Sequence, residues 1–179
     1  MGDSATPSLD EVLAGIGQQR PQWPARTRGK IAISIDRDGR WFYRDSPIER
    51  ESMVRLFASL LRVDEGEHVI DAPEQILVIA VADAPFVAID CEVLNPGAEQ
   101  LLRFTTQQGE SWTVGADHPL CWRASRDCPD EHRLYLRTRD GLDAVVHRQV
   151  FYRLAELAEV DQASGLMGIR SQGRFYSLT

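Results

Sequence analysis

Two arginines hold the positions that point most directly to binding chemistry. Arg50 and Arg148 each fall in the first turn of a predicted helix, where the helix dipole is positive and a cation is unfavourable. Each precedes an apolar residue by four positions, so its aliphatic stem is expected to lean on the edge of the core. A partly buried guanidinium needs an anion nearby, and its fork suits carboxylate and phosphate groups. The anion could be a ligand or an internal carboxylate, for which the candidates are Asp38, Asp140 and Asp83.

The residues near these arginines complete a predicted ligand-binding site. Ser46 and Pro47 are residue types that suit the N-cap and the first position of a helix, and the N–H groups of such a helix could bind an anion. Trp41 lies in a group of three aromatic residues that could stack on a base or, alternatively, pack across a hairpin. We predict ligand-binding roles for Arg50, Arg148, Arg139, Ser46, Pro47, Asp83 and Trp41.

No catalytic site is predicted. The sequence contains no Walker loop, no glycine-rich dinucleotide motif and no HExxH motif. A serine–histidine–acid triad can be assembled only from scattered residues that any chain of this size offers by chance, here Ser46, His118 and Asp83 or Asp117.

One further cluster contains residue types that bind zinc. It comprises His118, Cys121, Cys128 and His132. Their spacing is unlike the usual zinc motifs, and two ordinary free thiols in a loop explain the cysteines equally well. The sequence therefore predicts no metal and no other cofactor.

Composition and charge restrict the classes of partner. The chain has 179 residues, of which 43% are apolar, and a net charge of −7, which argues against nucleic-acid binding. Lys30 is the only lysine among its 20 basic residues. No apolar run approaches the roughly 18 residues that span a bilayer, and no secretory signal is visible. We therefore expect a cytoplasmic, bacterial-type protein without a membrane partner, whose three cysteines are free thiols.

The pattern of apolar residues predicts an α+β fold in three parts. Residues 1–28 are interpreted as a helix and a linker, residues 29–82 as a small α+β domain, and residues 83–179 as a C-terminal domain. In the small domain a hairpin over 31–43 is expected to precede a helix that runs from Ser46 to about residue 62.

The C-terminal domain is predicted to be an antiparallel, barrel-like sheet capped by a helix. The first hairpin is expected to join strand 75–81 to strand 86–93, and another to join strand 101–106 to strand 111–114. A helix over about 148–160 comes after the later strands, with Phe151, Tyr152, Leu154 and Ala158 along its apolar side. Strands followed by one helix are the order found in pleckstrin-homology-like barrels.

An internal repeat links the two domains. The tripeptide RDG occurs at 37–39 and at 139–141, each time between two predicted strands, and a helix that begins with arginine follows each hairpin. We interpret this as a duplicated hairpin-plus-helix unit. If so, Arg50, Arg148 and two helix N-termini would line one cleft between the copies and bind an anionic ligand.

Several motifs together resemble a bacterial family known as domain of unknown function 1285. The motifs are D-G-x-W-x-Y from Asp38, S-P-I-x-R from Ser46, D-A-P-F-V from Asp83, H-P-L from His118, R-x-G-L-x-A from Arg139 and R-x-V-x-Y-x-L from Arg148. The resemblance implies a core made by duplication, with a C-terminal part similar to pleckstrin-homology-like folds. It also implies a site for a nucleotide-like ligand at the domain interface and a role in signal transduction.

The chain departs from the family pattern at one position near the predicted site. Asp45 stands where the pattern leads us to expect glycine before Ser-Pro-Ile. Aspartate tolerates a positive φ less well than glycine does. Its charge would also lie beside the expected anion.

Three functions are compatible with the sequence. The first is a non-catalytic ligand-binding or regulatory protein that recognises a small anionic, nucleotide-like molecule. The second is a protein–protein interaction scaffold in which every arginine is paired internally, and the third is an enzyme of unrecognised class. A structure in which internal carboxylates pair with both Arg50 and Arg148 would favour the second.

Overall fold

The computed structural model describes residues 27–179 and, ahead of them, Leu9. The predicted N-terminal helix therefore lies outside the described residues, apart from Leu9. The predicted linker over the residues up to 28 ends early, because the first strand already begins at Thr27. The chain divides into two compact units, Met1–Ala82 and Asp83–Thr179.

The first unit contains a six-stranded sheet and one helix. In chain order its elements are β1 (Thr27–Ile35), β2 (Trp41–Tyr43), β3 (Ser46–Pro47), α1 (Glu51–Leu60), β4 (Leu61–Asp64), β5 (Glu67–Asp71) and β6 (Gln75–Val81). The strand order is β3-β2-β1-β6-β5-β4. The central strands β1 and β6 run parallel, and their neighbours pair antiparallel.

Alternation of side chains explains which face of this sheet is buried. Ile31, Ile33 and Ile35 of β1 are buried, whereas the residues between them are exposed or half-buried. Successive strand residues point to opposite faces, so the isoleucines lie on the core side. Helix α1 contributes the buried Phe57 and Leu60.

The second unit contains a larger set of elements. These are β7 (Phe86–Leu94), β8 (Leu101–Thr106), β9 (Ser111–Thr113), β10 (Leu120–Ala124), β11 (His132–Arg137), β12 (Asp143–Val146), α2 (Arg148–Glu156), β13 (Glu159–Val160), β14 (Met167–Ser171) and β15 (Arg174–Ser177). Strands β7 to β12 form a sheet with the order β10-β11-β12-β7-β8-β9, and β13 to β15 form a small antiparallel sheet. Helix α2 buries Leu154, as predicted, together with Val150, whereas Phe151 is half-buried and Tyr152 is exposed.

The two six-stranded sheets support a duplication. If strands are numbered within each unit, both sheets have the order 3-2-1-6-5-4, with a parallel pair formed by the first and sixth strands. The matching unit is therefore the whole sheet and not a hairpin followed by a helix. The RDG turn at 37–39 follows the first strand of its sheet, whereas the turn at 139–141 precedes the sixth strand of the other.

Several predictions about the fold class are wrong. The chain is mostly β with two helices among the described residues, and both larger sheets are mixed rather than antiparallel. The edge strands β9 and β10 are not paired with each other, so the second sheet, as far as the structure describes it, is open and does not close a barrel. The expected hairpin of 75–81 with 86–93 is absent because β6 and β7 belong to different sheets. A pleckstrin-homology-like fold is not confirmed.

The described helices do not suggest a membrane span. Within residues 27–179, neither α1 nor α2 has the length and apolar character required to cross a bilayer.

Candidate ligand-binding site

The Ser46–Pro47 segment is a strand and not the start of a helix. Ser46 pairs with Tyr43 and Pro47 with Phe42, which makes β3 the edge strand of the first sheet. The chain reverses between β2 and β3 through Arg44 and Asp45, whose φ angles of 46° and 65° are both positive. Two-residue hairpin turns favour such angles. The predicted helix start at Ser46 is therefore overridden by pairing across a tight hairpin.

Arg50 occupies the N-cap of α1, one position earlier than the first turn. Its carbonyl oxygen accepts hydrogen bonds from the N–H groups of Met53 and Val54, and its side chain caps no N–H group. The side chain is exposed and, among the described residues, forms no ion pair with a carboxylate. The alternative of an internal pair with Asp38, Asp140 or Asp83 is therefore not observed for Arg50.

Arg148 is the first residue of α2. His147 caps this helix by accepting the N–H of Gln149 at Nδ1, at 3.4 Å. Arg148 donates from Nε to the hydroxyl of Tyr152 at 2.5 Å, and its guanidinium lies 5.3 Å from the centre of the same ring. In the described part of the chain no carboxylate pairs with it. That Arg50 and Arg148 bind one ligand stays a prediction.

Arg139 already has internal partners. Its guanidinium lies 3.4 Å from Glu110 and 3.3 Å from Asp140, and it also faces the ring of Phe86 at 5.7 Å. These contacts hold the second RDG turn against the β8–β9 turn. A ligand at Arg139 would therefore compete with Glu110 and Asp140.

Asp83 is also engaged internally. Its carboxylate is buried and accepts hydrogen bonds from the hydroxyl of Tyr135 at 2.7 and 2.9 Å, from Arg133 at 3.0 Å and from the N–H of Arg126 at 3.2 Å. Burial, with the Asp83 carboxylate adding to its effect, raises the pKa of Tyr135 to about 12. These bonds tie the 125–131 loop to the start of the second unit.

Trp41 lies in the core of the first unit. Its side chain is 3% exposed and stacks on Phe57 with the ring centres 6.3 Å apart. This placement agrees with the packing alternative rather than with a role in stacking on a base.

The two histidines considered for zinc contact other groups, and Cys121 and Cys128 are free cysteines. His118 lies with Nδ1 3.1 Å from the carbonyl oxygen of Thr138 and meets Trp112 edge-on, while His132 stacks on Trp122. Over residues 27–179 no three side chains of His, Cys, Asp or Glu gather closely enough to hold a metal ion.

A cavity on the first sheet is a candidate site formed by described residues. It has a volume of about 350 Å³ and lies where β1 runs beside β6 and the β2–β3 turn. The β1–β6 ladder is interrupted there, since the pairs Lys30–Val78 and Ser34–Ala80 leave three residues of β1 opposite one of β6. Such bulges leave strand backbone groups unpaired and redirect neighbouring side chains.

The side chains that face outward at the cavity are small. Ala32, Ser34 and Ala80 are exposed or half-buried, whereas Ile33 and Ile79 line the cavity but have side chains that are at most 6% exposed. The isoleucines therefore present mainly backbone to it. The result is a shallow floor with room for a small molecule.

Charged residues border this floor. Lys30 and Arg44 supply two cations and Asp45 one carboxylate, and Ser34 adds a hydroxyl group. Within the described chain no carboxylate pairs with either Lys30 or Arg44, and the guanidinium of Arg44 lies 5.3 Å from the centre of the Tyr43 ring. The N–H of Arg44 donates to the carbonyl of Ala32 at 2.9 Å, which fixes the turn beside β1.

Lys30 and Arg44 were absent from the site predicted by sequence. In the sequence, Lys30 stands out only because it is the single lysine. Arg44 and Asp45 stand out only because position 45 holds aspartate where the family pattern leads us to expect glycine. A positive φ at Asp45 is observed. The cavity itself depends on an interrupted parallel pairing, which leaves no local trace in sequence.

The sequence matches the two domains of one protein family. The chain matches an N-terminal domain of unknown function (DUF1285) over residues 21–84 and the C-terminal domain of a protein of unknown function (DUF1285) over residues 85–178. No curated protein matches it.

Two solved structures resemble the chain. The crystal structure of a DUF1285 family protein from Silicibacter pomeroyi DSS-3, at 2.50 Å resolution, is 38% identical, covers 96% of each chain and superposes with a TM-score of 0.82. A DUF1285 family protein from Shewanella baltica OS155, at 1.40 Å, is 23% identical, with 70% of this chain and 91% of that chain covered and a TM-score of 0.55, which shows similarity of fold alone. The two domain matches and the 38% identical structure show that this chain belongs to the DUF1285 family.

Proposed function

We propose that this chain is a non-catalytic ligand-binding protein that recognises a small anionic molecule in the cavity on its first sheet. One observation carries the proposal: two cations, Lys30 and Arg44, border a cavity of about 350 Å³, and no carboxylate of the described chain pairs with either. Ligand pockets in proteins commonly begin near this volume.

The chemistry of the cavity favours recognition over catalysis. Ser34 is a nucleophile type, but neither Lys30 nor Asp45, the possible bases among the described residues that line the cavity, hydrogen-bonds to its hydroxyl. Activation of a serine needs a general base within hydrogen-bonding distance. Binding without turnover fits a regulatory role, and the family resemblance suggests signal transduction as its setting.

The positive charge of the cavity rim selects for an anion. Lys30 and Arg44 together outweigh the single carboxylate of Asp45, which leaves one net positive charge on a protein whose total charge is −7. Guanidinium and ammonium groups bind phosphate and carboxylate oxygens through charge-assisted hydrogen bonds. A phosphate or carboxylate group is therefore the expected anchor of the ligand.

The proposal is tested by titrating inorganic phosphate into the protein at constant ionic strength. Arg44→Gly removes one cation without penalty, since glycine readily adopts the φ of 46° at this position. We expect Arg44→Gly and Lys30→Ala each to weaken phosphate binding by roughly fivefold, as the loss of a partly screened charge pair would.

Arg40→Ala is the matched control, because Arg40 is an exposed arginine of the first turn that does not line the cavity. It changes the net charge equally, so a loss as large as that in Arg44→Gly would point to bulk electrostatics and contradict the proposal. Arg50→Ala and Arg148→Ala test the site predicted from sequence in the same titration. If these two abolish phosphate binding while Lys30→Ala and Arg44→Gly do not, the anion binds elsewhere.

A further inference from the structure

We infer that this cavity selects a zwitterionic small molecule, one that carries a phosphate or carboxylate group together with an ammonium group, over a simple anion. The inference rests on the proposed function and concerns the same site. It comes from Asp45, whose carboxylate lines the cavity beside the two cations.

Asp45 and Arg44 carry opposite charges and are adjacent in the chain, yet they do not pair with each other. No ion pair involving either residue occurs among the described residues, and the guanidinium of Arg44 lies over the Tyr43 ring instead. Asp45 is exposed and accepts no side-chain or backbone hydrogen bond within the described chain. The cavity rim therefore presents separate positive and negative groups.

The backbone of the turn maintains this arrangement. Both residues are held at positive φ, 46° for Arg44 and 65° for Asp45, and the bond from the N–H of Arg44 to Ala32 anchors the turn to β1. Left-handed conformations favour glycine, and asparagine and aspartate adopt them more readily than other residues do. Asp45 stays in this conformation although glycine would suit it better, so its carboxylate is a distinctive feature of the rim.

The sign of the electrostatic interaction decides between ligand classes. A simple anion that contacts Lys30 and Arg44 is repelled by the carboxylate of Asp45 at the same rim. An ammonium group on the ligand turns this repulsion into attraction, and both terms are strengthened wherever binding excludes water. A zwitterion satisfies all three charges, whereas phosphate alone satisfies two.

The floor adds a second constraint on the ligand. Ala32, Ser34 and Ala80 leave space above the sheet, and the hydroxyl of Ser34 can donate or accept one hydrogen bond. The floor therefore has room for a compact group that connects the anionic and ammonium ends of the ligand, and the charged rim determines which ligand is selected.

Phosphoethanolamine is the probe that tests this inference, since it joins a phosphate to an ammonium group. Its affinity is compared with those of inorganic phosphate and ethanolamine by calorimetry at constant ionic strength. We expect phosphoethanolamine to bind roughly fivefold more tightly than phosphate and ethanolamine to bind more weakly than either.

Asp45→Asn removes the carboxylate and keeps the shape, and asparagine tolerates the left-handed region well. In this variant the preference for phosphoethanolamine should disappear, and phosphate should bind at least as tightly as in the wild type. Asp38→Asn is the control, because Asp38 is an exposed acid of the neighbouring turn that does not line the cavity. It should leave the preference intact.

The possible outcomes separate the two proposals. Phosphate binding that depends on Lys30 and Arg44, without any gain from the ammonium group, overturns selection of a zwitterion and leaves the proposed function in place. A gain that persists in Asp45→Asn also overturns the inference. Failure of both phosphate and phosphoethanolamine to bind at millimolar concentration overturns both proposals.

Discussion

Replacement of Asp83 by alanine should destabilise the second unit by about 3 to 5 kcal/mol. The side chain of Asp83 is fully buried, and its carboxylate accepts hydrogen bonds from Tyr135, Arg133 and the N–H of Arg126. The alanine variant leaves a buried hydroxyl and a guanidinium that is 20% exposed without the Asp83 carboxylate, and Arg133 keeps only the more distant Glu131, at 4.0 Å. Removing one member of a buried ion pair costs about 3 to 5 kcal/mol, because the charge that remains loses its close partner.

Two further variants calibrate this value. Tyr135→Phe removes one donor but leaves the carboxylate bonded to Arg133 and Arg126, so it should cost about 1 to 2 kcal/mol. Asp90→Ala breaks an exposed pair with Arg153, in which both side chains are more than half exposed. Such pairs contribute at most about 1 kcal/mol.

Urea denaturation followed by circular dichroism measures all three variants. The free energies of unfolding can be compared if the slope of free energy against urea concentration is the same in every variant. An unchanged slope shows that unfolding exposes a similar surface area in each. If Asp83→Ala costs no more than Asp90→Ala, the structural account of Asp83 is refuted. If the alanine variant also remains stable but loses phosphate binding, the ligand-binding role predicted from sequence is supported instead.

Other predictions concern pH and single turns. Because the pKa of Tyr135 is raised to about 12 in the folded state, its contribution to stability is complete below pH 10 and is lost as the pH rises from 10 to about 12. This alkaline loss of stability should be smaller in Tyr135→Phe, as measured by unfolding at a series of pH values. Glu65 has a φ of 51° ahead of a glycine in the β4–β5 hairpin, and Glu65→Asn should raise the free energy of unfolding by about 0.5 kcal/mol or more in urea. Gly168→Ala should lower the free energy of unfolding by about 2 kcal/mol or more, because the added Cβ would overlap the carbonyl oxygen of Tyr176. Gly29→Ala should be close to neutral in the same assay, because its Cβ would make only an ordinary contact.

Local patterns predicted many strands well. The strands β6 and β8 have the predicted bounds, and the hairpins around the RDG turns and around the β8–β9 turn form as expected. These elements have clear apolar runs between turn residues, so the local signal and the tertiary environment agree.

Short strands and the pairing of strands that are distant in sequence were not predicted from the sequence. The predicted helix end at about residue 62 is wrong because Leu61 turns to an extended conformation and begins β4. The helix start at Ser46 is wrong because a two-residue turn and β3 take its place. The parallel pairing of β1 with β6 joins strands more than forty residues apart, and no local pattern records it.

The candidate cavity shares no lining residue with the site predicted from the sequence. An anion site that uses arginine was expected, and the residues named for it prove to be partly occupied: Asp83 and Arg139 have internal partners and Trp41 lies in the core. Lys30 and Arg44 meet only because the sheet brings β1 and the β2–β3 turn together. No local pattern in the sequence therefore indicates that Lys30 and Arg44 lie at the same cavity.

The most direct measurement is an anomalous difference map from crystals soaked in tungstate, a tetrahedral oxyanion whose metal atom can be located without ambiguity. The account predicts a peak in the cavity within contact distance of Lys30 and Arg44, and the loss of that peak in Arg44→Gly. A peak beside Arg50 or Arg148 with none in the cavity would contradict it.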